Sequence, residues 1–74
     1  VYPNPAKDFM SVTSVEDIAV VDIINEMGQI AYHQVLTGSQ RKLDIKLTGL
    51  PSSAYTLELR LSNGRREKMQ FIKE

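Results

Sequence analysis

The chain of 74 residues contains no cysteine and a single histidine. No disulfide can brace it, and no histidine pair is available to hold a structural metal. Tryptophan is absent as well, and the three tyrosines and two phenylalanines are few enough that several are needed inside. A surface platform of aromatic rings for stacking on sugars is therefore disfavoured. Charge of one sign is missing too: nine Lys+Arg balance nine Asp+Glu. Nucleic acid, which selects for a basic bias, is not an expected partner. Two local basic spots, Arg41-Lys42 and Arg65-Arg66-x-Lys68, sit beside turn residues and read as solvated charge.

Long apolar runs are lacking. The longest, Ile18-Ala19-Val20-Val21, is far too short to span a bilayer, so the chain is not expected to insert in a membrane. It opens Val1-Tyr2 with no initiator methionine and is expected to be part of a longer polypeptide, so a missing leader says nothing about where the parent travels. At this length only one domain fits, close to the lower limit at which a core alone stabilises a fold.

Proline is scarce but concentrated. Two of the three prolines fall in Tyr2-Pro3-Asn4-Pro5. Each fixes its own φ near about −65°, lacks an N–H, and biases the residue before it toward extended backbone. Residues 1–8 are accordingly expected to form a stiff lead-in, and residues 9–74 a β domain.

No segment sustains a helical repeat, whereas two-residue alternation recurs between turn signals. Strands are expected over 9–14, with Met10 and Val12 inward, and over 18–24, with Val21 and Ile23 inward. Asn25-Glu26-Met27-Gly28 then reverses the chain, with Gly28 free to take positive φ, and 30–36 returns. Leu43, Ile45 and Leu47 alternate with Asp44, Lys46 and Thr48, the pattern of a half-buried antiparallel strand. Tyr55, Leu57, Leu59 and Leu61 alternate with Thr56, Glu58, Arg60 and Ser62 as the clearest strand of all. About six or seven short strands of this kind predict a small all-β, immunoglobulin-like antiparallel sandwich. Tyr55, opening a strand after the corner Gly49-Leu50-Pro51-Ser52-Ser53, is in the setting where a tyrosine hydroxyl bonds back to the corner's backbone.

The last hairpin can be set in register from the sequence. A two-residue Asn63-Gly64 turn would place Leu59 opposite Lys68 and Leu57 opposite Gln70, wasting the apolar face. A loop of Ser62, Asn63 and Gly64 instead pairs Leu57 with Met69, Tyr55 with Phe71 and Glu58 with Lys68. Gly64 then takes the left-handed position of a type I turn with a G1 bulge. Leu59 opposite Glu67 is the blemish of this register.

Catalytic constellations are weak. Ser39, His33 and Asp44 supply the residue types of a triad, but almost any chain contains one of each, and no nucleophile-elbow pattern surrounds a serine. His33 reads as a strand-surface residue, and no catalytic residue is assigned. Glu16, Asp17, Asp22 and Glu26 lack the regular alternation of a calcium loop. Met10, Met27 and Met69 read as adaptable core filler. No cofactor and no metal are expected.

Four blocks in order carry a resemblance: Val1-Tyr2-Pro3-Asn4-Pro5-Ala6-Lys7-Asp8; Ile23-Ile24-Asn25-Glu26-Met27-Gly28-Gln29; Leu47-Thr48-Gly49-Leu50-Pro51-Ser52-Ser53-Ala54-Tyr55-Thr56-Leu57; and Lys68-Met69-Gln70-Phe71-Ile72-Lys73. Over essentially its whole length the chain resembles the C-terminal sorting domains of type IX secretion cargo in Bacteroidetes. Gly28 matches that family's turn glycine. Ser53 departs from it, standing where the family commonly has glycine two residues before the tyrosine.

The resemblance implies a non-enzymatic address label that passes with its cargo into the periplasm and directs it across the outer membrane. Removal of the label by a sortase-like peptidase and anchoring of the cargo at the cell surface are then expected, with release to the medium the alternative destination. The implied partners are the outer-membrane translocon and the sortase-like machinery. Tyr2, Pro3, Asn4 and Pro5 would mark the junction with the cargo. A last strand at a sheet edge would be open to strand addition, with Lys68, Phe71, Ile72 and Lys73 as the recognition segment. The two lysines serve equally well to discourage edge aggregation. A competing reading is an immunoglobulin-like accessory or adhesion module of a surface protein.

Overall fold

A computed structural model describes residues 6–74. Val1, Tyr2, Pro3, Asn4 and Pro5 lie outside the described residues, and so does the expected rigid lead-in they carry. Six strands follow in order: β1 (Phe9–Thr13), β2 (Ile18–Ile24), β3 (Ile30–Val35), β4 (Lys42–Lys46), β5 (Ser53–Leu61) and β6 (Arg66–Lys73). They form two antiparallel sheets, β1-β4 and β3-β2-β5-β6, and the fold is the all-β sandwich that the alternation predicts. Among the described residues no helix is long and apolar enough to cross a membrane.

Alternation explains which sheet faces meet. Met10 and Val12 of β1 stand opposite Ile45 and Leu43 of β4. They close on Val21 and Ile23 of β2, on Tyr55, Leu57, Leu59 and Leu61 of β5, and on Phe71 of β6. Burying each large aliphatic chain stabilises the fold by about 1.5–3 kcal/mol, which matters in a chain that has no cysteine to form a disulfide. The core has no buried polar or charged residue among those described.

One inward side chain needs a backbone irregularity. With Val21 and Ile23 inward, strict alternation would turn Ile18 outward. The β2–β5 register shifts between Ile18 and Val20, and Ile18 is 1% exposed. The extra residue at this bulge re-aims the side chain into the core.

The final hairpin adopts the register that keeps the apolar face inward. Leu57 pairs with Met69, Tyr55 with Phe71, Glu58 with Lys68 and Leu59 with Glu67. The loop of Ser62, Asn63 and Gly64 is closed by the Gly64 amide donating to the Leu61 carbonyl at 3.0 Å and the Leu61 amide donating to the Arg65 carbonyl at 2.8 Å. Gly64 has φ +90°. Glu67, opposite the buried Leu59, is half-buried, on a strand that lies at the sheet's edge.

Met27 corrects the expectation of core filler: it is 81% exposed. The Asn25 side-chain oxygen accepts the amides of Met27 and Gln29, both at 2.9 Å, and closes a turn that projects beyond the end of the sheet. Only Met10 is buried fully, and Met69 packs partly against the core. Gly28, with φ +81°, completes the same turn.

Candidate functional site

The expected recognition segment falls on β6, at one edge of the four-stranded sheet. In the four-stranded sheet β5 covers one side of this strand, and the other side is the sheet's boundary. Hydrogen-bond alternation decides which residues face outward. Leu61 and Arg65 bond to each other across the hairpin, so the odd-numbered residues of β6 face β5. The even-numbered residues Arg66, Lys68, Gln70 and Ile72 turn their backbone groups to the boundary.

Part of that boundary is already covered. The Ala6 amide donates to the Ile72 carbonyl at 2.8 Å, and the Glu74 amide donates to the Ala6 carbonyl at 2.7 Å. This parallel bridge, Ala6 with Lys73, ties the start of the described chain to its last strand. Ala6 is itself fully buried. An exposed ion pair between Lys7 and Glu74 at 3.9 Å adds little, since such surface pairs contribute about 0–1 kcal/mol. No other described residue pairs with the stretch from Arg66 to Gln70, which among the described residues is open edge.

The side chains of the expected recognition segment divide between two faces. Lys68 is exposed on the outer face, opposite Glu58. Ile72 is 55% exposed. Lys73 is half-buried and donates from its ammonium to the Glu74 carbonyl at 2.7 Å. Phe71 is 2% exposed and stacks on Tyr55, ring centroids 5.6 Å apart. The buried ring anchors the strand to the core.

Tyr55 holds the corner that positions β5 and, through it, β6. Its hydroxyl donates to the Pro51 carbonyl at 2.7 Å. A second tie crosses from the β2–β3 turn. Backbone pairing of β2 with β5 ends at Ile24 and Thr56. The Glu26 carboxylate then accepts from the Ser53 hydroxyl at 2.6 Å and from the Ala54 amide at 3.4 Å. These two donors hold the Glu26 carboxyl below its ordinary range, the serine hydroxyl contributing more than the amide. The sequence reading missed this clamp, although the departure of Ser53 from glycine was its visible signal. Beside it lies a shallow open hollow of about 670 Å³, bounded by Ile24, Glu26, Ala54, Thr56, Gln70 and Ile72.

The triad residues are not brought together. His33 projects from the outer face of the four-stranded sheet, where its Nδ1 meets the Asp22 carboxylate at 2.5 Å. Asp44 lies on the outer face of the other sheet and accepts from the Ser11 hydroxyl at 2.6 Å. Ser39 is in the exposed loop between β3 and β4. The acidic residues are dispersed likewise: Asp17 accepts from Arg41 at 3.3 Å, Asp22 faces His33, and Glu26 clamps Ser53. Among the described residues no group of three or more His, Cys, Asp or Glu is placed to hold a metal.

No curated protein and no solved structure matches the chain. A family model does, the secretion system C-terminal sorting domain, and its match runs over residues 1–74. With the whole chain matched and the sandwich in agreement, the protein belongs to the C-terminal sorting domains of type IX secretion cargo.

Proposed function

We propose that this chain is a non-catalytic sorting label that carries an attached cargo across the outer membrane, after which the label is removed and the cargo is fixed at the cell surface. The observation that carries the reading is the family match over residues 1–74, which supports a sorting role in type IX secretion and interaction with its machinery. The sequence of compartments is periplasm first, then the outer surface or the medium. The translocon reads the label, and a sortase-like peptidase acts upstream of the folded sandwich.

Recognition runs through β6. An unpaired strand edge offers backbone donors and acceptors in a fixed register, and side chains beside it add selectivity. Lys68 and Lys73 supply the flanking charge, Ile72 an exposed apolar contact, and Phe71 the anchor that keeps the edge in place. Tyr2, Pro3, Asn4 and Pro5 set the junction between cargo and label. In this account Gly28, Tyr55 and Gly64 are structural, since they shape the turns and corner on which the edge depends.

The test is export of a periplasmic reporter fused ahead of the chain in a type IX-competent host. With Lys68→Ala and Lys73→Ala combined and folding intact, export is expected to fall. Export at the unaltered level would remove the lysines from the recognition account.

A further inference from the structure

Arg60 and Arg66 stand directly opposite each other on the outer face of the four-stranded sheet. Theirs is a non-hydrogen-bonded pair, since Leu61 and Arg65 next to them exchange the hairpin bond. Side chains in such pairs are the closest across a ladder, and like charges there are destabilising. Both arginines are exposed, and neither makes an ion pair or side-chain hydrogen bond with any described residue. Val20, the neighbour of Arg60 on β2, is apolar and offers no relief.

Lys68 extends this cluster two residues along β6 on the same face. On that outer face the acids near it are Glu58, opposite Lys68, and Asp22, which faces His33. Three cations there share one free carboxylate, while Glu67, between Arg66 and Lys68 in β6, lies on the opposite face across from Leu59. The other edge of the sheet differs: the outer-face residues of β3 there include His33 and Val35, with no lysine or arginine in the strand.

We propose that the β6 edge from Arg66 to Gln70 receives an extended acidic segment of the secretion machinery. It pairs with the backbone at Arg66, Lys68 and Gln70 and presents carboxylates, two residues apart, to the Arg60–Arg66 pair and to Lys68. This rests on the sorting reading and adds the chemistry of the partner. The segment is short because the hairpin loop bounds the edge at one end and Ala6 covers it at the other. Its carboxylates neutralise a like-charge pair that the free sandwich leaves uncompensated. Charge also selects the edge, directing the segment to β6 and away from β3.

The test is amide hydrogen exchange on the 74-residue chain with an excess of the capped peptide Thr-Glu-Thr-Glu-Thr, compared with Thr-Gln-Thr-Gln-Thr. The acidic peptide is expected to slow exchange at Arg66, Lys68 and Gln70. Arg60→Gln with Arg66→Gln should weaken peptide affinity by about threefold to tenfold, as expected for two exposed ion pairs, with Leu57 protection unchanged. Equal slowing by the glutamine peptide overturns the inference, as does slowing centred on His33 and Val35. So does binding that shifts the arginine side chains without slowing the three amides, or the same effect from inorganic phosphate. Reporter export with and without the chain is measured in parallel: if export depends on the chain while the peptide arm fails, only this inference falls. If export does not depend on the chain, the sorting reading itself falls.

Discussion

The Tyr55 hydroxyl reaches back four residues and donates a 2.7 Å hydrogen bond to the Pro51 carbonyl, while its ring stacks on Phe71. One side chain thus fixes the corner into β5 and the inner face of β6. Tyr55→Phe keeps the stack and removes the bond, leaving a carbonyl with one partner fewer. A loss of about 1 kcal/mol in unfolding free energy is expected, within the range for a single hydrogen bond, and urea titration checks it. Unchanged stability would show that the corner does not rely on the hydroxyl.

Glu26 gives the sandwich an acid-sensitive tie. Its carboxyl is held below its ordinary range, foremost by the Ser53 hydroxyl and then by the Ala54 amide. A group whose folded pKa is depressed contributes stability that is fully present above its unfolded value, about 4.3, and lost as pH falls through the folded value. Glu26→Gln should therefore flatten the decline of stability in that window. Parallel unfolding curves from neutral pH down to about pH 3 read the difference. The two proteins should converge at the acid end.

Gly64 sits at φ +90° with no atom within 4 Å of where a Cβ would be. Space is not the constraint there, and backbone conformation is. Gly64→Ala should cost about 1–2 kcal/mol, the penalty of the left-handed region for an L-residue, and lower the melting temperature without a clash. Preservation of the Leu57–Met69 register in its NMR contacts would confirm that only the turn is strained.

Leu57 lies at the centre of the core and is fully buried. Leu57→Ala should cost about 2–5 kcal/mol, comparable with the whole stability of a domain this small. The variant is expected to be largely unfolded at room temperature by circular dichroism and to lose any function that needs an ordered β6 edge.

Much of this fold was legible because inside–outside alternation is a strong signal in a short chain. The preference for Leu57 opposite Met69 over Leu57 opposite Gln70 settled the final hairpin from hydrophobicity alone, and Tyr55 was readable from its place after a corner. What escaped was tertiary. Met27 looks like a core residue by type, yet the Asn25 side chain closes a turn that throws it into solvent. Ile18 is inward only because of a bulge that no residue pattern announces. The Glu26 clamp joins residues 27 apart, and the Ala6 bridge joins opposite ends of the chain. The Arg60–Arg66 opposition could be read off the hairpin register, but the boundary position of β6 that makes it matter needed the sheet order.

The most direct test of the sorting account is the fraction of a folded reporter found outside the outer membrane, with and without this chain fused at its C-terminus, in a host with an intact type IX system. The account predicts that the fused reporter reaches the surface or the medium while the bare reporter stays in the periplasm. Equal retention of both in the periplasm, with the sandwich shown to be folded, would contradict it.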